Sequence, residues 1–203
     1  MISENIQNAI PITVLVTLIL FVLKEFIESI EKYKSNKRKK EAVSLVLAYE
    51  IELNHWALRT FFRLLRRLTE VFSEYPQAKY RLQIAYDGSE HLRLKREPEE
   101  TIEEGQSIPP FVNEQFKRLL PIIAELDKTL FKLLEEAYTK IADLEHFRRI
   151  VVEFLAGGDT MPEDGNREFF IPKLSQEERN YYDPLNLAYQ KLTGKPLKEW
   201  KLR

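Results

Sequence analysis

Residues 9–23 carry no charge, and their only polar side chains are Thr13 and Thr17. Threonine hydroxyls can bond back to the carbonyl one helical turn earlier, so they do not bar a helix. Fifteen residues rise about 22 Å, and extension from Ile6 to Ile27 gives about 33 Å, against a hydrocarbon core of about 30 Å. With Gln7 and Asn8 among headgroups and Lys24 snorkelling, the run predicts one membrane-spanning helix. Pro11 then falls in the first turn, where its missing N–H matters least. Leu23-Lys-Glu-Phe26 is no small-residue cleavage site, which argues against a removed signal peptide. No Lys or Arg precedes the run, whereas Lys24, Lys32, Lys34, Lys37, Arg38, Lys39 and Lys40 follow it. Basic flanks stay in the cytoplasm, so the expectation is a cell-membrane protein with its N-terminus outside and its body inside.

The period then turns amphipathic. Phe26, Ile27 and Ile30 interleave with Glu25, Glu28 and Glu31. Over 39–74, Val43, Leu47, Ala57, Phe61, Leu64, Leu68 and Val71 follow alternating four- and three-residue steps, with Glu50 and Asn54 as polar slots. Val46, Ile51, Leu53, Leu58, Phe62, Leu65 and Phe72 widen the stripe. Tyr75-Pro76 ends it. Over 80–95 the large apolar residues alternate on either side of Asp87-Gly88, which predicts a β-hairpin. Residues 96–110 are acidic and proline-bearing and read as an exposed loop.

A second long helix is expected over 111–156. Its stripe runs Leu119, Ile123, Leu126, Leu130, Leu133, Ala137, Lys140, Leu144, Phe147, Val151 and Phe154, with Pro121 starting or kinking it. Gly157-Gly158 ends it. Short helices follow over 175–194: Ser175 and Glu178 have capping-box spacing, Asp183-Pro184 restarts the helix and Gly194 closes it. Phe169-Phe170-Ile171-Pro172 forms an apolar plug, and Trp200 folds back on the body. The expected architecture is mainly α: an anchor over 1–30, then a domain over 31–203. That domain is a long-helix antiparallel hairpin with an inserted β-hairpin and short C-terminal helices.

Composition sharpens this picture. Six glycines in 203 residues disfavour phosphate-cradling loops and sheet-rich α/β folds. A net charge of −1 gives no polycation, so no nucleic-acid partner is expected. Zero cysteines fit a reducing compartment and remove thiol nucleophiles. Neither a serine in a strained glycine turn nor a nucleotide-binding loop is present.

Candidate chemistry is sparse. Glu52 with His55, and Asp143 with His146, each place a carboxylate three residues before an imidazole, the spacing that helical carboxylate-bridged metal sites use. In the expected hairpin register the two pairs stand about 24 Å apart, and no cofactor is expected. Glu50 points into the helix interface and is expected to pair with Lys140. Lys37, Arg38, Lys39 and Lys40 are candidates for contact with an anionic membrane surface. Arg59, Arg63, Arg66 and Arg67 form a ridge that suits phosphate.

The expected role is a non-enzymatic, membrane-anchored scaffold or adaptor. Its partners are the bilayer and either another protein or the chain itself, with no small-molecule substrate. The alternatives are an oligomerising membrane effector and a metal-dependent enzyme using the two carboxylate/His pairs.

Overall fold

A computed structural model describes residues 12–74, 79–86, 89–95, 104–155 and 166–198. The fold is mainly helical with one small antiparallel sheet. Its elements are α1 (Ile12–Glu74), β1 (Lys79–Ile84), β2 (Glu90–Lys95), β3 (Glu104–Ser107), α2 (Glu114–Leu126), α3 (Lys128–Leu155), α4 (Asn166–Ser175) and α5 (Glu178–Thr193). The chain divides into two units, Met1–Ala42 and Val43–Arg203.

In the first unit the described residues are all helix. The membrane-spanning helix expected there finds no support: among the described residues no helix is long and apolar enough to cross a membrane. The physical reason is length. Residues 12–23 rise about 18 Å before Lys24 and Glu25 interrupt them, well short of about 30 Å. Residues 6–11, which the longer span recruits, lie outside the described residues.

The second unit holds the core. Every slot of the stripe in α1 is buried, from Val43, Leu47, Glu50 and Asn54 through Ala57, Phe61, Leu64 and Leu68 to Val71. Ile51, Leu58, Phe62 and Leu65 widen it as expected, but Val46 and Leu53 face outward. The second long helix is broken. Asp127 adopts an extended backbone between α2 and α3. Its Oδ1 accepts the Thr129 and Leu130 N–H groups at 3.0 and 2.9 Å, a side-chain cap for α3. Pro121 lies inside α2 and does not start it.

The buried face of α3 is Leu130, Leu134, Ala137, Ile141, Leu144, Arg148, Val151 and Leu155. Half of the expected slots sit one residue early, at Leu133, Lys140, Phe147 and Phe154. The helix is therefore rotated about its axis relative to the stripe read from the sequence.

The hairpin forms, with Lys79 opposite Lys95 and Ile84 opposite Glu90. Its Asp87-Gly88 tip lies outside the described residues. The loop expected over 96–110 contributes a third strand: β3 pairs antiparallel with β2, His91 opposite Ser107 and Leu94 opposite Glu104. Glu-Gly-Gln-Ser carries no strand pattern of its own, so the backbone edge of β2 supplies the reason. A lone hairpin is marginal, and the third strand together with packing of β1 on α3 stabilises it.

Of the expected plug, which lies in the helix α4, Ile171 is buried, Phe170 and Pro172 are half-buried and the Phe169 side chain lies outside the described residues; Leu174 is buried one turn on. Ser175 does not cap α5; its Oγ donates to the Pro172 carbonyl at 2.7 Å. Pro184 lies within α5 and starts no new helix. Gly194 closes α5 in the left-handed conformation (φ 71°), where glycine has no Cβ penalty. Trp200 and Gly157-Gly158 lie outside the described residues.

Candidate functional site

The polar groups buried in the second unit are Glu50, Asn54, His55 and Arg148 among the described residues. Helix periodicity puts Glu50 and Asn54 on one face of α1, one turn apart, against the segment that leads into α2. Asn54 reads the main chain of Val112 in both directions. Its Nδ2 donates to the Val112 carbonyl at 2.7 Å, and its Oδ1 accepts the Val112 N–H at 2.8 Å. Glu50 accepts the Gln115 N–H at 2.7 Å and the Phe116 N–H at 3.0 Å. These are first-turn donors of α2, and Asn113 at the cap position makes no side-chain cap bond. A carboxylate from another helix thus fills the cap and sits at the positive end of the α2 dipole.

Tyr138 donates its hydroxyl to the same carboxylate at 2.6 Å, and its ring stacks on Phe116 with centroids 4.1 Å apart. Burial, and then the bond to Glu50, push the Tyr138 phenol far above its ordinary range. The expected Glu50–Lys140 pair is therefore corrected. The rotation of α3 brings Tyr138 to Glu50, and the Lys140 ammonium lies over the Tyr181 ring, 5.8 Å from its centroid.

A second clamp comes from α3. Glu145 accepts the Phe111 N–H at 3.0 Å and two bonds from Arg148 at 2.8 Å each. Arg148 also pairs with Glu90 of β2. Burial alone raises the Glu145 carboxyl, but the Arg148 bonds, the Phe111 N–H and the Arg148 and Arg149 charges outweigh it and hold it low. Burial opposes the Arg148 charge, and the bonds to Glu145 and Glu90 outweigh it in turn. Sequence reading missed Glu90, Tyr138, Glu145 and Arg148. The signal was the Glu145–Arg148 spacing of three, with Arg148 one position beyond an apolar slot.

His55 differs from these groups. It is 1% exposed, and neither ring nitrogen has a hydrogen-bond partner among the described residues. Its ring lies 5.4 Å from that of Tyr182 on α5. Burial and then the Arg59 charge lower its pKa, against the weaker pull of Glu178 and Glu52.

The candidate metal ligands do not converge. Glu52 accepts the Tyr189 hydroxyl at 2.5 Å. Burial and that bond push the Tyr189 phenol up to about 12. Asp143 and His146 are exposed on α3. No group of three or more His, Cys, Asp or Glu that could hold a metal ion occurs among the described residues.

The arginine ridge is divided. Arg66 pairs with Glu178 at 2.6 Å and Arg67 with Glu70 at 3.4 Å, while Arg63 is exposed and Arg59 half-buried. Lys37, Arg38, Lys39 and Lys40 are exposed on α1 in the first unit.

What this arrangement does chemically is hold backbone. Glu50, Asn54 and Glu145 take bonds across residues 111–116 and fix where α2 begins. Compared with known proteins, the chain matches no family model, no curated protein and no solved structure.

Proposed function

We propose that the chain is a non-enzymatic adaptor: a helical body that offers surfaces to a partner, held at a lipid bilayer by the apolar end of α1. One observation carries the reading. Val14, Val16 and every residue of 18–23 are 48–61% exposed. At 100° per residue, the last six cover all sides of the helix. Contiguous apolar surface of this kind marks an interaction site, and a single protein partner covers only one face of a helix. Lipid covers whatever faces such a partner leaves open.

The described uncharged residues rise about 18 Å, enough to pass the midplane of a core about 30 Å thick. The basic flank then keeps the body on the cytoplasmic side. Lys37 stands about 21 Å along the helix from Leu23. Headgroups add only about 5–7 Å beyond the core, so an upright helix holds the cluster Lys37 to Lys40 off them. In this reading those residues set orientation and do not grip lipid. The polar groups of the body support the adaptor role, because Glu50, Asn54 and Glu145 are engaged in positioning α2.

The test is flotation of the full chain with phosphatidylcholine vesicles, alongside a Leu20→Asp, Val22→Asp variant. The wild-type chain is expected to float and the variant to stay below. A folded wild-type chain that stays below overturns the anchor. Affinity purification from solubilised membranes tests the rest. A stoichiometric companion is expected, and a substrate-dependent activity with no companion overturns the adaptor role.

A further inference from the structure

Within the first unit, α1 carries a second pattern laid over the first. Ile19, Leu23, Phe26, Ile30 and Tyr33 follow steps of four, three, four and three, and all are exposed, from 37% at Ile30 to 72% at Tyr33. That 3.5-residue period is the seam of a left-handed helix pair. The charges of the same stretch avoid it. With Leu23 and Ile30 at position a, and Ile19, Phe26 and Tyr33 at d, the charged residues Lys24, Glu25, Glu28, Glu31 and Lys32 fall at b, c and f. The flanking positions Leu20, Val22, Ile27 and Ser29 carry none. Lys24 and Glu28 pair with each other at 3.6 Å on the outer side.

This charge distribution chooses among occupants. Helices that lie flat on lipid are rich in Lys and Arg on the polar face. Here the outer face has three glutamates against two lysines, so an anionic surface gains nothing from it. A different protein would be selected through charged flanks, and the flanks are uncharged up to Lys34. A second copy fits without correction: every a and d residue meets its own apolar counterpart, and no like charges oppose each other before Lys37. At Lys37 and Lys40 the next two seam slots are basic, which would set lysine against lysine and end the contact after Tyr33.

We infer that Ile19, Leu23, Phe26, Ile30 and Tyr33 form the seam of a parallel, in-register pairing with a second copy of this chain. The parallel direction rests on the bilayer reading, since two copies anchored from one side point the same way. Confinement to one membrane also raises the effective concentration, which helps a seam of only about two heptads.

The chain contains no cysteine, so single-cysteine variants report one position each. Full-length Phe26→Cys, Tyr33→Cys and Glu28→Cys are incorporated in phosphatidylcholine vesicles and oxidised. All three positions are exposed in the first unit, so folding of the body serves as a control. Disulfide formation needs the two Cβ atoms within about 4.5 Å, and the variants at 26 and 33 are expected to dimerise about tenfold faster than that at 28. Equal rates at all three positions mean random collision and overturn the pairing. Dimer at 26 without dimer at 33 means an antiparallel arrangement and overturns the parallel one. No dimer, with the thiol of the Phe26→Cys variant shielded from a water-soluble maleimide, assigns the stripe to lipid and also overturns it. A chain that floats without crosslinking loses only the pairing. A chain that crosslinks at 26 and 33 without floating loses only the anchor.

Discussion

The two stretches of α1, residues 14–33 and 43–71, are both helical and both rich in large apolar side chains, yet they solve opposite problems. The first has no buried side chain among its described residues, and its charged groups face water. The second buries an apolar face and draws Glu50, Asn54 and His55 in with it. The difference lies in what stands opposite. In the second unit α2, α3 and α5 supply apolar partners and, for Glu50 and Asn54, backbone N–H and C=O groups to satisfy the polar atoms. A buried polar group is tolerated where the facing backbone needs it. Within this stretch His55 is the exception, with no hydrogen-bond partner among the described residues.

The largest separation between the two stretches is expected from cavity formation. Phe61→Ala removes a fully buried ring and should lower stability by about 3–5 kcal/mol, whereas Phe21→Ala should change it by less than about 0.5 kcal/mol. Denaturant titration followed by helical circular dichroism measures both. Similar losses in the two variants would mean that Phe21 also belongs to a folded core.

Next in size is the cap on α2. Glu50→Ala leaves two backbone N–H groups and the Tyr138 hydroxyl without their acceptor and should cost about 3 kcal/mol. A double-mutant cycle of Glu50→Ala with Tyr138→Phe should give a coupling of about 1 kcal/mol, and the cycle with Lys140→Ala none. Coupling to Lys140 instead would restore the pairing expected from the sequence.

The smallest effect belongs to His55 and depends on pH. Its folded pKa lies below the ordinary value of about 6.5, so above that pH both states are neutral and stability is full. As pH falls below about 6.5 the unfolded chain takes up the proton first. Stability then declines, by at most about 1.4 kcal/mol per pH unit, until the lowered folded pKa is passed. Arg59 and Glu52 on α1, and Glu178 and Tyr182 on α5, are the groups around it. His55→Phe should flatten the decline that sets in below about pH 6.5. An unchanged slope in that variant would assign the proton uptake elsewhere.

How much of this was legible differs between the two long helical stretches. The stripe of α1 was readable because Val43, Leu47, Phe61, Leu64, Leu68 and Val71 fill six of its nine slots with large apolar residues, and the flanking Ile51, Leu58, Phe62 and Leu65 are buried with it. On α3 two phases fit almost equally well. Leu133, Phe147 and Phe154 compete with Leu134, Ile141 and Leu155, and the burial of Arg148 and Tyr138 belongs to the phase that periodicity alone disfavours. The break at Asp127 was hidden for a similar reason: the apolar stripe runs through it unbroken from Ile123 to Leu130, while the cap is a single carboxylate. Of the polar residues of the clamp, Glu50 and Asn54 could be singled out as seam slots. Their partners could not, since those are backbone groups more than fifty residues away.

By itself the sequence determined the helical character of residues 39–74, of most of 114–155 and of 178–193, where the hairpin lies and that residues 9–23 are uncharged, because side-chain periodicity and charge are local properties. It determined neither α4 nor the break at Asp127. Only the tertiary structure decided the phase of α3, the third strand β3 and the cap on α2. Each of those depends on which donor or apolar surface a distant segment brings into reach, and no local pattern carries that information.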